Sequence, residues 1–118
     1  MKALDVISVF DKLRPNSFDF GTKRGWVAVI EADIRNYDAL HRHESPDMSF
    51  LQDDNFVLML DKAYSDLYVY YLISMADMAN GEFRMYNISS AYFNSLMDKW
   101  KRGHRGKNLP QKNTYIKY

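Results

Sequence analysis

Residues 64–100 read YSDLYVYYLISMADMANGEFRMYNISSAYFNSLMDKW, and this stretch decides the fold. Two aromatic-rich helical patterns meet at a single break, Asn80-Gly81-Glu82. In the first, Tyr64, Leu67, Tyr68, Tyr71, Leu72, Met75 and Met78 recur at helical spacing. Asp61 or Ser65 is placed to cap it. In the second, running from Glu82 to about Lys101, the stripe is Met85, Tyr86, Ile88, Tyr92, Phe93, Leu96 and Trp100. Gly81 suits the position after a helix end, where left-handed geometry is cheap only for glycine, and Glu82 complements the following helix N-terminus. So short a connection predicts either an antiparallel hairpin or a sharply kinked pair. Tyr68, Tyr70 and Tyr71 span both faces of the first pattern, so at least one of them faces away from the core. Tyrosine is enriched at protein interfaces, which makes Tyr70 a candidate partner-binding residue. The methionines at 75, 78, 85 and 97 read as core filler.

Working outward, Lys2–Leu13 carries Val6, Ile7, Val9, Phe10 and Leu13 on one helical face and stops at Arg14-Pro15-Asn16. Phe18 and Phe20, in the loop that follows, are expected to tuck against the bundle. Thr22 is placed to cap a second helix with the stripe Trp26, Val29, Ile30, Ile34, Tyr37 and Leu40. Residues 41–54 show no period and contain Pro46, so they read as a long loop. The apolar run 56–60 is a brief buried strand or an extended segment. Beyond Gly103 the spacing of Gly106 and Pro110 predicts an irregular tail, and Thr114–Tyr118 has the composition of a short strand. The expectation is an all-α protein. It is a small bundle of about four helices with a long loop, a short extended segment and an irregular C-terminal arm, divided into a helical domain, 1–100, and a basic arm, 101–118.

The chain has 118 residues and no cysteine, which suits one domain and excludes disulfides and thiolate metal sites. No apolar run serves as a signal peptide, and no window approaches the roughly 18 apolar residues of a membrane span, so the expected setting is cytoplasmic. The net charge of +1 hides a division. Met1–Trp100 holds all 15 acidic residues against 10 Lys and Arg, a balance of −5, while residues 101–118 hold six basic residues and no acid. Lys101, Arg102, Arg105, Lys107 and Lys112, with Tyr115 and Tyr118, are therefore further candidate partner-binding residues.

Catalytic patterns are lacking. His41-Arg42-His43-Glu44 puts its histidines at i and i+2, which do not share a helix face, so no metal site is expected. Asp53-Asp54 reads as a hydrated turn, and no calcium-loop pattern surrounds it. Ser89 and Ser90 have neither a neighbouring histidine nor elbow glycines. The glycines form no phosphate-cradling motif. No cofactor, metal or catalytic residue is expected, and no enzymatic activity. An alternative is a small nucleic-acid-binding accessory protein whose basic tail neutralises phosphates, although that tail lacks a stacking motif before Lys107.

Four pieces of the chain together resemble a known family. They are the helix end Lys12-Leu13-Arg14-Pro15-Asn16, the tryptophan-led helix from Trp26 to Asp33, the run into Tyr64–Leu72, and Asn80-Gly81-Glu82 followed by Arg84–Asn87 and Tyr92-Phe93-Asn94. In this order, over about residues 4–100, they resemble the small head–tail connector (neck or adaptor) proteins of tailed bacteriophages. The resemblance implies a virion structural protein of the neck, assembled in the host cytoplasm. It implies a homo-oligomeric ring, about twelve-fold, bound to the portal protein, to tail or stopper proteins and to neighbouring copies of itself. DNA would pass through the lumen without specific binding. An acidic wall would let the duplex slide, and the basic arm would dock on the portal or an adjacent subunit.

Overall fold

The computed structural model describes residues 1–108, with the backbone alone for Lys107 and Asn108. It is an all-α bundle of four helices: α1 (Ala3–Leu13), α2 (Phe20–His41), α3 (Ser65–Ala79) and α4 (Phe83–Asn108). Helix α3 is central and packs on the other three. Its buried residues run almost all the way round it, from Leu67, Tyr68 and Val69 to Leu72, Ile73, Ala76 and Asp77, as a helix walled in by neighbours requires.

Helices α3 and α4 form an antiparallel hairpin rather than a kinked pair. Tyr70 meets Tyr92 at 4.5 Å, Tyr71 meets Phe93 at 5.2 Å, and Ser89 reaches Asp77. Gly81 takes the left-handed position after the helix end that the sequence predicts. Gly81 has φ 71°, its N–H donates to the Met78 carbonyl, and the Glu82 N–H donates to the Asp77 carbonyl. Those two bonds satisfy carbonyls that the helix end would otherwise leave unpaired.

Helix α1 buries Ala3, Val6, Ile7 and Phe10, while Val9 and Leu13 are exposed, against the expectation that both face the core. Helix α2 is capped by Asp19, whose carboxylate accepts from the Thr22 N–H at 2.7 Å, so the cap lies three residues before the expected Thr22. Phe18 rests edge-on against Trp26 at 5.1 Å, but Phe20 is exposed. Val29 and Leu40 also leave the expected stripe for solvent. Asp61 caps a short 3-10 turn, Lys62–Tyr64, that leads into α3, and Ser65 is already helical.

The 41–54 loop is held by this chain's own residues. Phe50 is buried against Phe56 at 4.9 Å with the Arg35 guanidinium 4.5 Å over its ring. Arg24 donates to the carbonyls of Leu51, Asp53 and Asp54. Residues 56–60 are extended, not a strand of a sheet. Phe56, Leu58 and Leu60 point inward and Val57 and Met59 outward, and one antiparallel bridge joins Val57 to Lys2.

Glu31 anchors this segment from α2. Its fully buried carboxylate accepts from the Tyr68 hydroxyl at 2.7 Å, the Met59 N–H at 2.8 Å and Arg35 Nε at 2.6 Å. A buried carboxylate is tolerable only when bonded in this way. Burial, then the Glu31 charge, pushes the Tyr68 hydroxyl far above its ordinary value, so it remains a donor.

The largest difference from the sequence reading is at the end of α4. The helix runs on through Gly103 and Gly106 to Asn108, across the boundary placed after Trp100. Two interior glycines cost about 1 kcal/mol each. Tertiary contacts offset this. The His104 ring stacks on Trp100 at 4.9 Å and its Nε2 lies 2.7 Å from the Asp38 carboxylate, while the Tyr37 hydroxyl donates to the Lys101 carbonyl at 3.3 Å. The strand expected at 114–118 lies outside the described residues.

Candidate functional site: an open apolar groove

Helix α4 has 26 residues and is about 39 Å long, against 15 residues and about 22 Å for α3. Its inward line is Ser89, Phe93, Leu96, Met97 and Trp100, at spacings of four, three, one and three residues; Ser89 and Phe93 meet α3, and Trp100 meets Tyr37 of α2. Met85, Ile88 and Tyr92 lie on the flank of that line and are exposed. Helix α1 ends at Leu13, before Pro15, so no further turn of it covers this flank. The result is an open groove of about 480 Å³ lined by Leu13, Arg14, Tyr70, Ile73, Met85, Ile88, Ser89 and Tyr92.

The groove is lined mainly by apolar side chains, with Arg14 and Ser89 among them and Asp77 buried behind these two. Asp77, 1% exposed, accepts from Arg14 Nη1 at 2.7 Å and from the Ser89 hydroxyl at 2.8 Å. The Ser89 hydroxyl also lies 3.0 Å from the Met85 carbonyl of its own helix, so it bridges α4 to a carboxylate already held by a guanidinium. That arrangement fastens α1, α3 and α4 together.

A second cluster lies at the other end of α4, where Tyr37, Asp38 and His41 of α2 meet Trp100, Lys101 and His104. Burial raises the Asp38 carboxyl, but the bonds from Arg42 and His104 outweigh it and hold the group below the usual carboxylate range.

Of the residues singled out in the sequence, Tyr70 lies in the groove, half-buried and edge-on to Tyr92. Tyr68 is the fully buried tyrosine, and Tyr71 is half-buried against Phe93. Lys101 is half-buried with its Nζ 5.1 Å over the Tyr37 ring. Arg102 is exposed and pairs with Asp98 one turn back, and Arg105 is exposed. These three sit on the last turns of α4, about 13–20 Å along the helix from Tyr92, so the structure separates them from Tyr70. The Lys107 side chain, and all of Lys112, Tyr115 and Tyr118, lie outside the described residues.

Leu13, Met85, Ile88 and Tyr92 belong to the apolar stripes expected to face the core, and the structure places them at the surface. Met78 is also exposed, so of the four methionines read as filler only Met97 is fully packed and Met75 partly so. A signal was present. From Ile88 to Met97 the apolar positions of α4 sweep about 180° of the helix, wider than one packing contact uses. Among the described residues no group of three or more His, Asp or Glu is placed to hold a metal ion. His41 Nδ1 donates instead to the Tyr37 carbonyl at 2.9 Å. Asp53 accepts from the Asn55 N–H at 3.0 Å, closing a turn as expected. No described helix is long and apolar enough to cross a membrane. Comparison with protein-family models, with curated proteins and with solved structures returned no match.

Proposed function

We propose that this protein is a non-enzymatic assembly subunit of a tailed-phage virion. It would be a head–tail adaptor that forms a ring of about twelve copies between portal and tail, around the DNA channel of the neck. The observation that carries the reading is the open apolar groove, with Ile88 68% exposed and Tyr70 and Tyr92 in its wall. An exposed apolar surface rimmed by polar residues is what a docking protein presents. The charge division supports the same reading. The body at −5 repels a passing duplex, and the basic end of α4 offers cations to an acidic neighbour.

The test is to mix the purified full chain with the portal protein of the same phage and image the product by electron microscopy. A closed ring seated on the portal is the expected result. Failure of a folded preparation to associate with the portal at any concentration tried would overturn the proposal.

A further inference from the structure

We infer that Asn80 is a site of self-modification: its side-chain amide is lost through attack by the Gly81 backbone nitrogen, at a rate set by local opening of the α3–α4 reversal.

The Gly81 nitrogen, once deprotonated, attacks Asn80 Cγ. The N–Cγ bond forms, the Cγ–Nδ2 bond breaks, and Nδ2 takes a proton and leaves as ammonia. The product is a five-membered succinimide, which water then opens. Attack of water at Cγ gives aspartate. Attack at the backbone carbonyl gives isoaspartate, whose main chain runs through the former side chain. Atoms balance with water as the sole co-reactant, and nothing is oxidised or reduced. A side chain on the following residue hinders the attacking nitrogen, and glycine has none. Asn80 is the asparagine of this chain that precedes glycine; the others precede Ser, Tyr, Phe, Ile, Leu or Thr.

The folded turn holds the reaction back. The Gly81 N–H is bonded to the Met78 carbonyl at 3.1 Å, which keeps its proton in place. Ring closure needs the Gly81 nitrogen and the Asn80 side chain on the same side of the Cα–C bond, and a ψ of 0° at Asn80 turns them apart. Rotating that bond breaks the contact of Gly81 with Met78 and disturbs that of the Glu82 N–H with the Asp77 carbonyl. Little else resists. Every residue from Met78 to Met85 is exposed, so no side chain of this segment has to leave the core. Segments of this kind open locally at a cost below that of global unfolding.

The site lies at a joint. Either product puts a carboxylate at the C-terminal end of α3, the negative end of its dipole, near Asp77 and Glu82. Isoaspartate also adds a methylene to the main chain, so the two turn bonds lose their present geometry. Asp77, on the preceding turn, pins α1 through Arg14 and α4 through Ser89. The modification therefore loosens the place where three helices meet. It is independent of the adaptor reading.

The test stores the purified full chain in mildly alkaline buffer, folded and in guanidinium chloride. Peptide 63–84, released by cleavage after Lys62 and Arg84, is followed by mass spectrometry. The expected result is an amide-to-acid mass gain at Asn80, shared between aspartyl and isoaspartyl forms that separate on chromatography. The folded chain should react at least about ten-fold more slowly than the denatured one. Its rate should stay flat at low denaturant, because a local opening exposes little new surface. Asn80→Gln should lack the mass gain over the same period. The isolated isoaspartyl form should melt below Asn80→Asp, which carries the new charge alone. No exchange at Asn80 in either state, equal rates in both, or a folded rate that tracks global unfolding from the first addition of denaturant would each overturn the inference. Equal melting of the isoaspartyl form and Asn80→Asp would overturn the loosening of the joint.

Discussion

At the scale of single residues, the buried carboxylates carry the most weight, because each binds elements distant in sequence. Glu31 joins α2 to the extended segment and to α3, and removing one partner exposes the cost. Tyr68→Phe leaves Glu31 and the Leu60 N–H each short of a bond, and should lower stability by about 1–3 kcal/mol in urea unfolding. Glu31→Leu strands the Arg35 guanidinium as well and should cost about 3–5 kcal/mol or prevent folding. Asp38 governs part of the acid response. Its carboxyl lies lower in the folded protein than in the unfolded chain, so the stability it contributes is complete above the ordinary carboxylate value. That stability is lost as pH falls through the lowered value. Asp38→Asn should therefore be less stable at neutral pH and should lose less on acidification, read as a flatter acid limb in thermal unfolding against pH. None of these pairings was legible in the sequence. Residues 31 and 68, or 38 and 104, are joined by no local spacing, and only the packing of α2 against α3 and α4 brings them together.

At the scale of elements, the hairpin reversal and the run of α4 through its glycines are the sharpest tests. At Gly81 a side chain has open space but an unfavourable φ, so Gly81→Ala should destabilise by about 1–2 kcal/mol. Gly103 and Gly106 are the reverse case. Both are helical, and a Cβ at either meets nothing within 4 Å. Gly103→Ala and Gly106→Ala should each raise stability by up to about 1 kcal/mol and increase helical circular dichroism. If the chain were irregular beyond Gly103, as the glycine spacing suggests, neither gain would be seen. Helix existence was well read from periodicity, and so was the Asn80-Gly81-Glu82 turn, since both are local properties of the chain. The end of α4 departs from what its glycines predict because Tyr37, Asp38 and the Trp100–His104 stack, contacts that local propensity does not contain, hold it helical.

At the scale of the whole molecule, the groove and the basic helix end are two surfaces, and reversing one should spare the other. Arg102→Glu with Arg105→Glu leaves the groove intact. If the helix end meets an acidic protein neighbour, the pair should weaken portal association and leave any weak DNA binding little changed. If it meets phosphate, the pair should reduce DNA affinity and lower the salt slope by about two, measured by fluorescence anisotropy at several salt concentrations. By itself the sequence determined the class of the fold, its four helices, the break at Asn80-Gly81-Glu82 and the division of charge, because composition, periodicity and a glycine demanding positive φ act over a few residues; that the break is a hairpin and not a kink came from the packing of α3 on α4. Which apolar residues of α1 and α4 are core and which are surface was decided only by tertiary structure. An apolar arc of about 180° shows that a helix has more hydrophobic face than one neighbour covers. Where α1 stops and how α3 seats against α4 decide which part of that arc stays open, and here that part is Leu13, Met85, Ile88 and Tyr92.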